Sequence, residues 1–168
     1  EKISKSGTQP IIGTQINFRY GDTTGLLPIY ALNEVGYKKI IELSSLSFLN
    51  NDELSDPHLD IKELLIDCEG VALFSGTVNG LFGRLFDKGK NKEIFELYSK
   101  LHSIYQNNFY IEIQRHGDQN EKSFEKFNLE KSLEIKIPLI ATNEVYYLSS
   151  DMHEAHDALI CIKNKTYI

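Results

Sequence analysis

Short apolar runs alternate with longer amphipathic segments along this chain, and turn residues separate them. Residues 15–20 and 109–114 alternate apolar and polar positions with the period of two that is typical of strands. The run 139–141 lies between Pro138 and a polar loop, which is typical of a covered parallel strand. The predicted strands are residues 9–20, 26–32, 70–76, 109–114 and 139–141.

Segments with helical periodicity lie between these runs, and most begin at a residue that favours helix N-caps. Because strands and helices alternate after the first pair of strands, the pattern predicts an α/β fold with a parallel sheet or barrel. Residues 1–7 are predicted to end a helix at Gly7, and residues 21–25 to form a turn. The helix from Asn33 is predicted to bury the stripe Tyr37, Ile40, Ile41, Ser44 and Phe48. The predicted helices are residues 33–49, a short one from Asp60, 80–89, 91–105 capped by Asn91, 121–136, and one from Ser149 or Ser150 to Ile162.

The size and composition are those of one globular domain over residues 1–168, with 41% hydrophobic and 25% charged residues. The chain starts at Glu1 rather than at an initiator Met, so we expect a fragment of a longer protein. The net charge of −6 repels phosphate backbones and argues against a broad basic face that grips nucleic acid. Local patches remain open, and the basic cluster at residues 84–92 is expected to be a solvated loop rather than a DNA contact.

The two cysteines, Cys68 and Cys161, are far apart and lack C-x-x-C spacing, so we expect reduced, buried thiols. No stretch approaches the roughly 20 apolar residues of a membrane span, and no signal peptide precedes the first strand. The sequence therefore predicts a cytoplasmic chain without membrane contact.

The loop after the last predicted strand carries polar and aromatic residues, including Asn143, Glu144 and Tyr146. In parallel α/β sheets, functional residues lie beyond the carboxyl ends of strands, so this loop is a candidate site.

Other reactive side chains also have ordinary interpretations. Glu112 could be a catalytic carboxylate, although pairing with Arg115 or a backbone donor is favoured because buried charges are normally satisfied. His153 and His156 have i, i+3 spacing rather than the i, i+4 spacing of zinc-binding helices, which favours surface and capping roles.

Motifs along nearly the whole chain resemble the PHP domain (polymerase and histidinol phosphatase domain) of the bacterial DNA polymerase III alpha subunit. Residues 10–15, P-I-I-G-T-Q, resemble the family's P-I-I-G-x-E, and residues 110–117 resemble its Y-x-E-x-Q-x-H-G strand. The other matching segments are N-E-V-G-Y at 33–37, L-F-S-G-T at 73–77, A-T-N-E-V-Y-Y at 141–147 and H-D-A-L-I-C-I at 156–162. The resemblance implies a PHP-type (β/α)7 barrel, a distorted relative of the TIM barrel, that is incomplete because its first strands are missing.

The resemblance also implies which positions held metal ions. The family site uses a His-x-His pair, the Glu of G-x-E, a Cys after S-G, and the Asp and His of the A-T-N loop. This chain has weaker or altered groups at these positions, because amide, hydroxyl and phenol are poor ligands beside carboxylate, thiolate and imidazole. We expect no catalytic residue, no cofactor and no metal ion here, since Glu144 and His116 alone are too few ligands for a transition metal. The degenerate positions are Gln15, Thr77, Glu144 and Tyr146, with His116 as a candidate relic ligand.

The resemblance implies that the parent protein is a DNA-directed DNA polymerase that uses Mg²⁺ and carries its catalytic carboxylates outside this chain. We expect the chain itself to be a scaffold that docks the proofreading exonuclease subunit, among other replicase subunits, with DNA bound through the parent polymerase. The alternative is a metal-dependent phosphoesterase or 3′-5′ exonuclease, using zinc or manganese and completed by an upstream His-x-His. A third option is a freestanding barrel that binds a small molecule, which the abrupt start disfavours. Missing strands would leave open sheet edges, which predicts association or a partly disordered rim.

Overall fold

The computed structural model describes residues 2–51, 55–66 and 69–167. These residues form a mixed α/β structure of six strands and six α-helices, and short 3₁₀ turns extend some of the connections. The elements are α1 (Lys2–Lys5), β1 (Ile12–Tyr20), β2 (Thr23–Ala31), α2 (Glu34–Leu49), β3 (Leu59–Asp60), a 3₁₀ turn (Ile61–Leu65), β4 (Val71–Phe74), α3 (Leu81–Asp87), α4 (Asn91–Tyr105), a second 3₁₀ turn (Gln106–Asn108), β5 (Phe109–Ile113), α5 (Glu121–Ile135), β6 (Leu139–Ala141), a third 3₁₀ turn (Ser150–Met152) and α6 (His153–Asn164).

All six described strands belong to one sheet, in the order β3-β1-β2-β4-β5-β6. β2 runs antiparallel to both of its neighbours, β1 and β4, whereas the other adjacent pairs are parallel. The carboxyl ends of β1, β4, β5 and β6 therefore point the same way. The predicted α/β class is confirmed. The predicted barrel is not, because the described strands form an open sheet with β3 and β6 at its edges.

The core is built around Tyr98, which is fully buried on α4. Its ring packs against Phe82 of α3, with ring centres 4.6 Å apart, and against Phe109 of β5 at 5.7 Å. Its hydroxyl donates a hydrogen bond to Asn128 Oδ1 of α5 at 3.0 Å, which satisfies a polar atom that burial would otherwise penalise. This one side chain thus connects three helices and the sheet.

The basic cluster at residues 84–92 fastens the tip of the β1–β2 hairpin. Lys88 and Lys90 lie 3.2 and 2.7 Å from the Asp22 carboxylate, and Arg84 Nη1 donates to Thr24 O at 2.7 Å. These contacts, first with Lys90 and then with Lys88, hold the pKa of Asp22 far below its usual range. Arg84, Lys88 and Lys92 are exposed, in line with the solvated loop predicted from sequence, but Arg84, Lys88 and Lys90 also fasten the hairpin tip.

The N-x-x-G segment at the start of α2 is explained by close backbone packing. Asn33 caps the helix, and its side chain accepts a hydrogen bond from Gly36 N at 3.0 Å. A Cβ at Gly36 would lie 1.7 Å from Gly70 O, so only glycine fits against the segment that leads into β4.

That contact corrects the predicted buried stripe of α2. With Gly36 facing Gly70, the residues four, seven and eleven positions later also face inward, and these are Ile40, Leu43 and Ser47. Of the predicted stripe only Ile40 is buried. Ser44 is half-buried, and the exposed members are Tyr37, Ile41 and Phe48.

Two element starts also differ from the predictions. β2 begins at Thr23 rather than at residue 26, because Gly21 and Asp22 alone make the turn and Gly21 adopts a φ of 60°. Asn91 is the first residue of α4 rather than its cap, and the cap is Lys90, whose side chain makes no capping hydrogen bond.

The carboxyl-terminal elements are more exposed than predicted. β6 was expected to be covered, but Leu139 and Ala141 are exposed at the sheet edge, and α6 has no buried residue. Cys161 is a partly exposed free thiol whose Sγ donates to Tyr167 O at 3.3 Å, and Cys68 lies outside the described residues. Among the helices described, none combines the length and apolar character needed to cross a membrane.

Replacing Gly36 by Ala should lower the free energy of unfolding by about 3 kcal/mol or more, because the new methyl group collides with backbone rather than with a movable side chain. Urea unfolding measures this as a lower midpoint at unchanged slope. The exposed Ser45→Ala in the same helix is the matched control and should change stability by no more than about 0.5 kcal/mol. Equal effects of the two substitutions would contradict the packing described here.

Candidate functional site

One open cleft, with an empty volume of about 640 Å³, brings together the four degenerate positions selected from the sequence. Gln15 lies on β1, Thr77 follows β4, and Glu144 and Tyr146 follow β6. Thr77, Glu144 and Tyr146 lie beyond the carboxyl ends of strands that run in the same direction. Gln15 lies in the middle of the longer β1, where it pairs with Pro28 of β2, so the four side chains converge although they are far apart in the sequence.

Two glycines allow the loop after β4 to reach the cleft. A Cβ at Gly76, whose φ is 77°, would lie 3.0 Å from Leu26 O, and one at Gly80 would lie 2.8 Å from the same oxygen. The loop therefore crosses the β1–β2 hairpin at a distance that larger residues would not permit. This crossing places Thr77 beside Glu144.

The side chains of Glu144 and Tyr146 are hydrogen-bonded to each other. The Tyr146 hydroxyl donates a hydrogen bond to Glu144 Oε1. That hydrogen bond, followed by burial and the nearby negative charge, raises the pKa of Tyr146 to about 12. The phenol therefore remains protonated at neutral pH and donates a proton where a metal ligand would have to offer a lone pair.

The Tyr146 ring also contacts α6. Its centre lies 4.9 Å from that of His156, and Tyr147 lies 5.5 Å from the same imidazole. His153 Nδ1 lies 3.6 Å from Asp157 Oδ2 in an exposed pair one helical turn apart. Both histidines of the H-E-A-H segment thus make packing and surface contacts of the ordinary kind.

A second, acidic cleft adjoins the first and shares Thr77 and Glu144 with it. His116 lines this second cleft rather than the first, and its Nε2 lies 3.2 Å from Gln114 Oε1. The structure thus places the candidate relic ligand near Glu144 and Thr77, but not in the cleft with Gln15 and Tyr146.

Glu112 reaches the acidic cleft from β5 and is only 5% exposed. Its Oε1 accepts hydrogen bonds from the Thr142 hydroxyl and, at 3.3 Å, from Gln114 Nε2, while the buried Oε2 has no partner among the described residues. Burial raises the pKa of Glu112, against the lowering effect of these hydrogen bonds and of the nearby Gly76 backbone.

The partners of the Glu112 carboxylate differ from those expected from the sequence. Arg115 does not pair with it and instead forms a bidentate ion pair with Glu125, with distances of 2.8 and 3.0 Å. The hydrogen-bond donors to Glu112 are instead the side chains of Thr142 and Gln114, and the Gly76 backbone contributes only a further lowering of its pKa. Arg115 lies beyond the end of β5, where its exposed side chain reaches Glu125 of α5 rather than the buried Glu112.

Glu121 was missed by the sequence analysis. Its two carboxylate oxygens accept hydrogen bonds from His116 N at 2.7 Å and Gly117 N at 2.8 Å, and these lower its pKa. The side chain therefore fixes the loop that carries His116. A glutamate in the first turn of a helix, directly after a glycine-containing loop, was the available signal.

The donor chemistry of the first cleft is poor for metal ions. Gln15 and Thr77 offer a neutral amide and hydroxyl, and one oxygen of Glu144 is occupied by the Tyr146 proton donor. Within residues 2–51, 55–66 and 69–167, no group of three or more His, Cys, Asp or Glu side chains is arranged to hold a metal ion.

Glu112→Gln should remove a pH dependence of stability. Because the folded-state pKa is raised, the folded chain holds this proton more tightly, so stability falls as pH rises from the unfolded pKa through the folded one. The free energy of unfolding of the variant, relative to that of the native chain, should therefore increase with pH between these two pKa values. Urea unfolding between pH 4 and 8 measures this difference. Thr142→Val removes a donor that lowers the pKa and should extend the loss to higher pH. Identical profiles for all three proteins would contradict this assignment.

Comparisons with known proteins agree with this architecture. The family model described as "PHP domain" matches residues 1–116. The DNA polymerase III subunit alpha of Caulobacter vibrioides is 33% identical over 171 residues, which cover 97% of this chain and 15% of that protein. The same subunit of Rickettsia felis is 35% identical over 94% of the chain and 13% of its own length, and that of Vibrio cholerae is 30% identical over 93% and 14%. The chain spans about one seventh of the relatives it matches, and it belongs to the PHP domain family.

Proposed function

We propose that this chain is the PHP region of a DNA polymerase III alpha subunit and that it serves there as a scaffold without a catalytic metal site. The observation that carries the proposal is the hydrogen bond from Tyr146 to Glu144, within a cleft whose other family positions are Gln15 and Thr77. These donors do not fit a cluster of transition metals, which requires several anionic or imidazole ligands.

On this proposal, the parent protein performs DNA-directed DNA synthesis with Mg²⁺, using carboxylates outside this chain. The names of the relatives support this role, since each is a DNA polymerase III alpha subunit. The other replicase subunits, DNA bound through the parent polymerase and a cytoplasmic location belong to the same proposal.

The partner that we propose for the scaffold is the proofreading exonuclease subunit. Support comes from the loop after the cleft and from α6, where apolar side chains are exposed in a way that favours a protein contact. These residues are Val145, Leu148, Leu159 and Ile162.

A metal-dependent phosphoesterase or 3′-5′ exonuclease is the second candidate. It is favoured by the acidic cleft, where His116, Glu112 and Glu144 lie together and could contribute to a site completed by further residues. The two candidates differ in whether the parent subunit carries zinc or manganese.

Elemental analysis of the parent subunit, purified without chelator, should find well below one equivalent of zinc or manganese, because the degenerate cleft lacks ligands. Restoring the family groups with Gln15→Glu, Thr77→Cys and Tyr146→His together should raise the metal content. One or more equivalents in the native subunit, reduced by Glu144→Gln and accompanied by metal-dependent phosphodiester cleavage, would instead establish the second candidate.

Leu148→Asp in the parent subunit should weaken capture of the exonuclease subunit about tenfold, since a charge would enter an apolar contact. Leu148 is 96% exposed, so the substitution should leave folding intact. The matched control is Leu133→Asp on α5, where the side chain is 82% exposed and lies outside the proposed surface. Unchanged capture by the Leu148 variant, measured by quantitative pull-down, would rule out docking at this surface.

A further inference from the structure

Three cations remain unpaired beside one groove. Most basic side chains already discussed are held by carboxylates or carbonyls, as Lys88 and Lys90 are by Asp22. In the part of the chain that the structure describes, Arg19, Lys62 and Lys100 have no ion pair or side-chain hydrogen bond, and all three line the same groove.

The groove lies beyond the end of β1, between the 3₁₀ turn at residues 61–65 and α4. Arg19 comes from the strand, Lys62 from the turn and Lys100 from the helix, so the cations converge from three separate elements. Its empty volume is about 900 Å³. Because the positions are set by three elements that pack on the common core, the groove is a fixed feature of the fold.

One carboxylate, that of Asp60, faces these three cations. It is engaged locally, since its Oδ1 accepts a hydrogen bond from Lys62 N at 2.9 Å and thereby caps the turn. The groove therefore has an excess of positive charge on a chain whose net charge is −6. The other lining residues are largely apolar or aromatic, namely Tyr20, Ile61, Leu65 and Leu97.

We propose that this groove binds the phosphate and the base of a nucleotide unit. An arginine and two lysines provide the hydrogen-bond donors and charge that phosphate oxygens prefer. Tyr20 is half-buried at the wall, where it and the apolar floor offer contacts to a base or sugar. An acidic peptide would satisfy the cations but would not use the aromatic and apolar part of the groove.

Two sources could supply such a unit, a single-stranded nucleic acid or a free nucleotide. The chemistry recognised is the same in both cases. The groove shares no lining residue with the two clefts described above, so the proposal holds or fails independently of the metal content of the candidate site.

The test uses the full polypeptide that carries this chain, because any other nucleic-acid site in it must be told apart from this groove. A single-stranded oligonucleotide containing 4-thiothymidine is crosslinked by ultraviolet light, and the modified peptides are identified by mass spectrometry. The triple variant Arg19→Glu, Lys62→Glu, Lys100→Glu is compared with the native protein. The matched control reverses three exposed lysines of α5 and its end, Lys122, Lys126 and Lys136.

Crosslinks should map to peptides that contain Tyr20, residues 61–65 or residues 97–100. The yield of these crosslinks should fall at least about tenfold in the groove variant and persist in the control. In the native protein, the logarithm of the yield at this groove should decrease with the logarithm of the salt concentration with a slope of about two, and the groove variant should lose this dependence. Equal competition by excess dATP and by unlabelled oligonucleotide would assign the groove to free nucleotides, whereas preferential competition by the oligonucleotide would assign it to single strands.

Three results would overturn the proposal. They are the absence of crosslinks at these peptides in the native protein, their retention in the groove variant, and their displacement by poly-glutamate as efficiently as by DNA. A thermal unfolding midpoint equal to that of the native protein excludes misfolding as the cause of any loss.

Discussion

Glu112 connects the ends of three strands through its backbone and its buried carboxylate, and the candidate site is built on these contacts. Its own backbone N–H donates to Ser75 Oγ of the β4 end at 2.9 Å, and its Oε1 accepts from Thr142 at the β6 end. Thr77 and Glu144 each follow one of these anchors by two residues. Burying a carboxylate is unfavourable unless hydrogen bonds satisfy it, and here only Oε1 is satisfied, which is why burial raises the pKa of Glu112.

What could be predicted from the sequence was mostly local. Five of the six described strands followed from the sequence pattern, whereas the two-residue β3 was missed because it is too short to show a period. Asn33 was identified as a cap because its effect lies within one turn. The rotation of α2 was not predicted, since it is set by Gly36 packing on Gly70, a contact that hydrophobic periodicity does not report. The four positions of the cleft were found from the family resemblance, while the loop-fixing role of Glu121 was missed because its first-turn position indicates a capping role but not which backbone donors it binds.

The distribution of charge in space was also not predictable from the sequence. The net charge argues against nucleic-acid binding when it is spread over the surface, but fields near a protein depend on which charges are already neutralised. Asp22 neutralises Lys88 and Lys90 at the hairpin tip, more than 60 residues away in the sequence. Arg19 lies on the same hairpin without such a partner. A cluster of lysines in the sequence is thus paired with carboxylates at the surface, whereas cations scattered over about 80 residues converge in space.

The exchange of imidazole for phenol at Tyr146 matters because it reverses the direction of hydrogen bonding. A neutral imidazole offers a lone pair, whereas a phenol with a pKa of about 12 offers a proton, and Glu144 lies next to it as the acceptor. Each group thereby stabilises the state of the other that does not bind metal: the carboxylate is occupied, and the phenol is kept protonated. Removing the hydroxyl alone would free the carboxylate but add no ligand. On the proposed function, therefore, metal binding is recovered only when Gln15 and Thr77 are replaced together with Tyr146. One additional donor alone still leaves the cleft with fewer ligands than a transition metal requires.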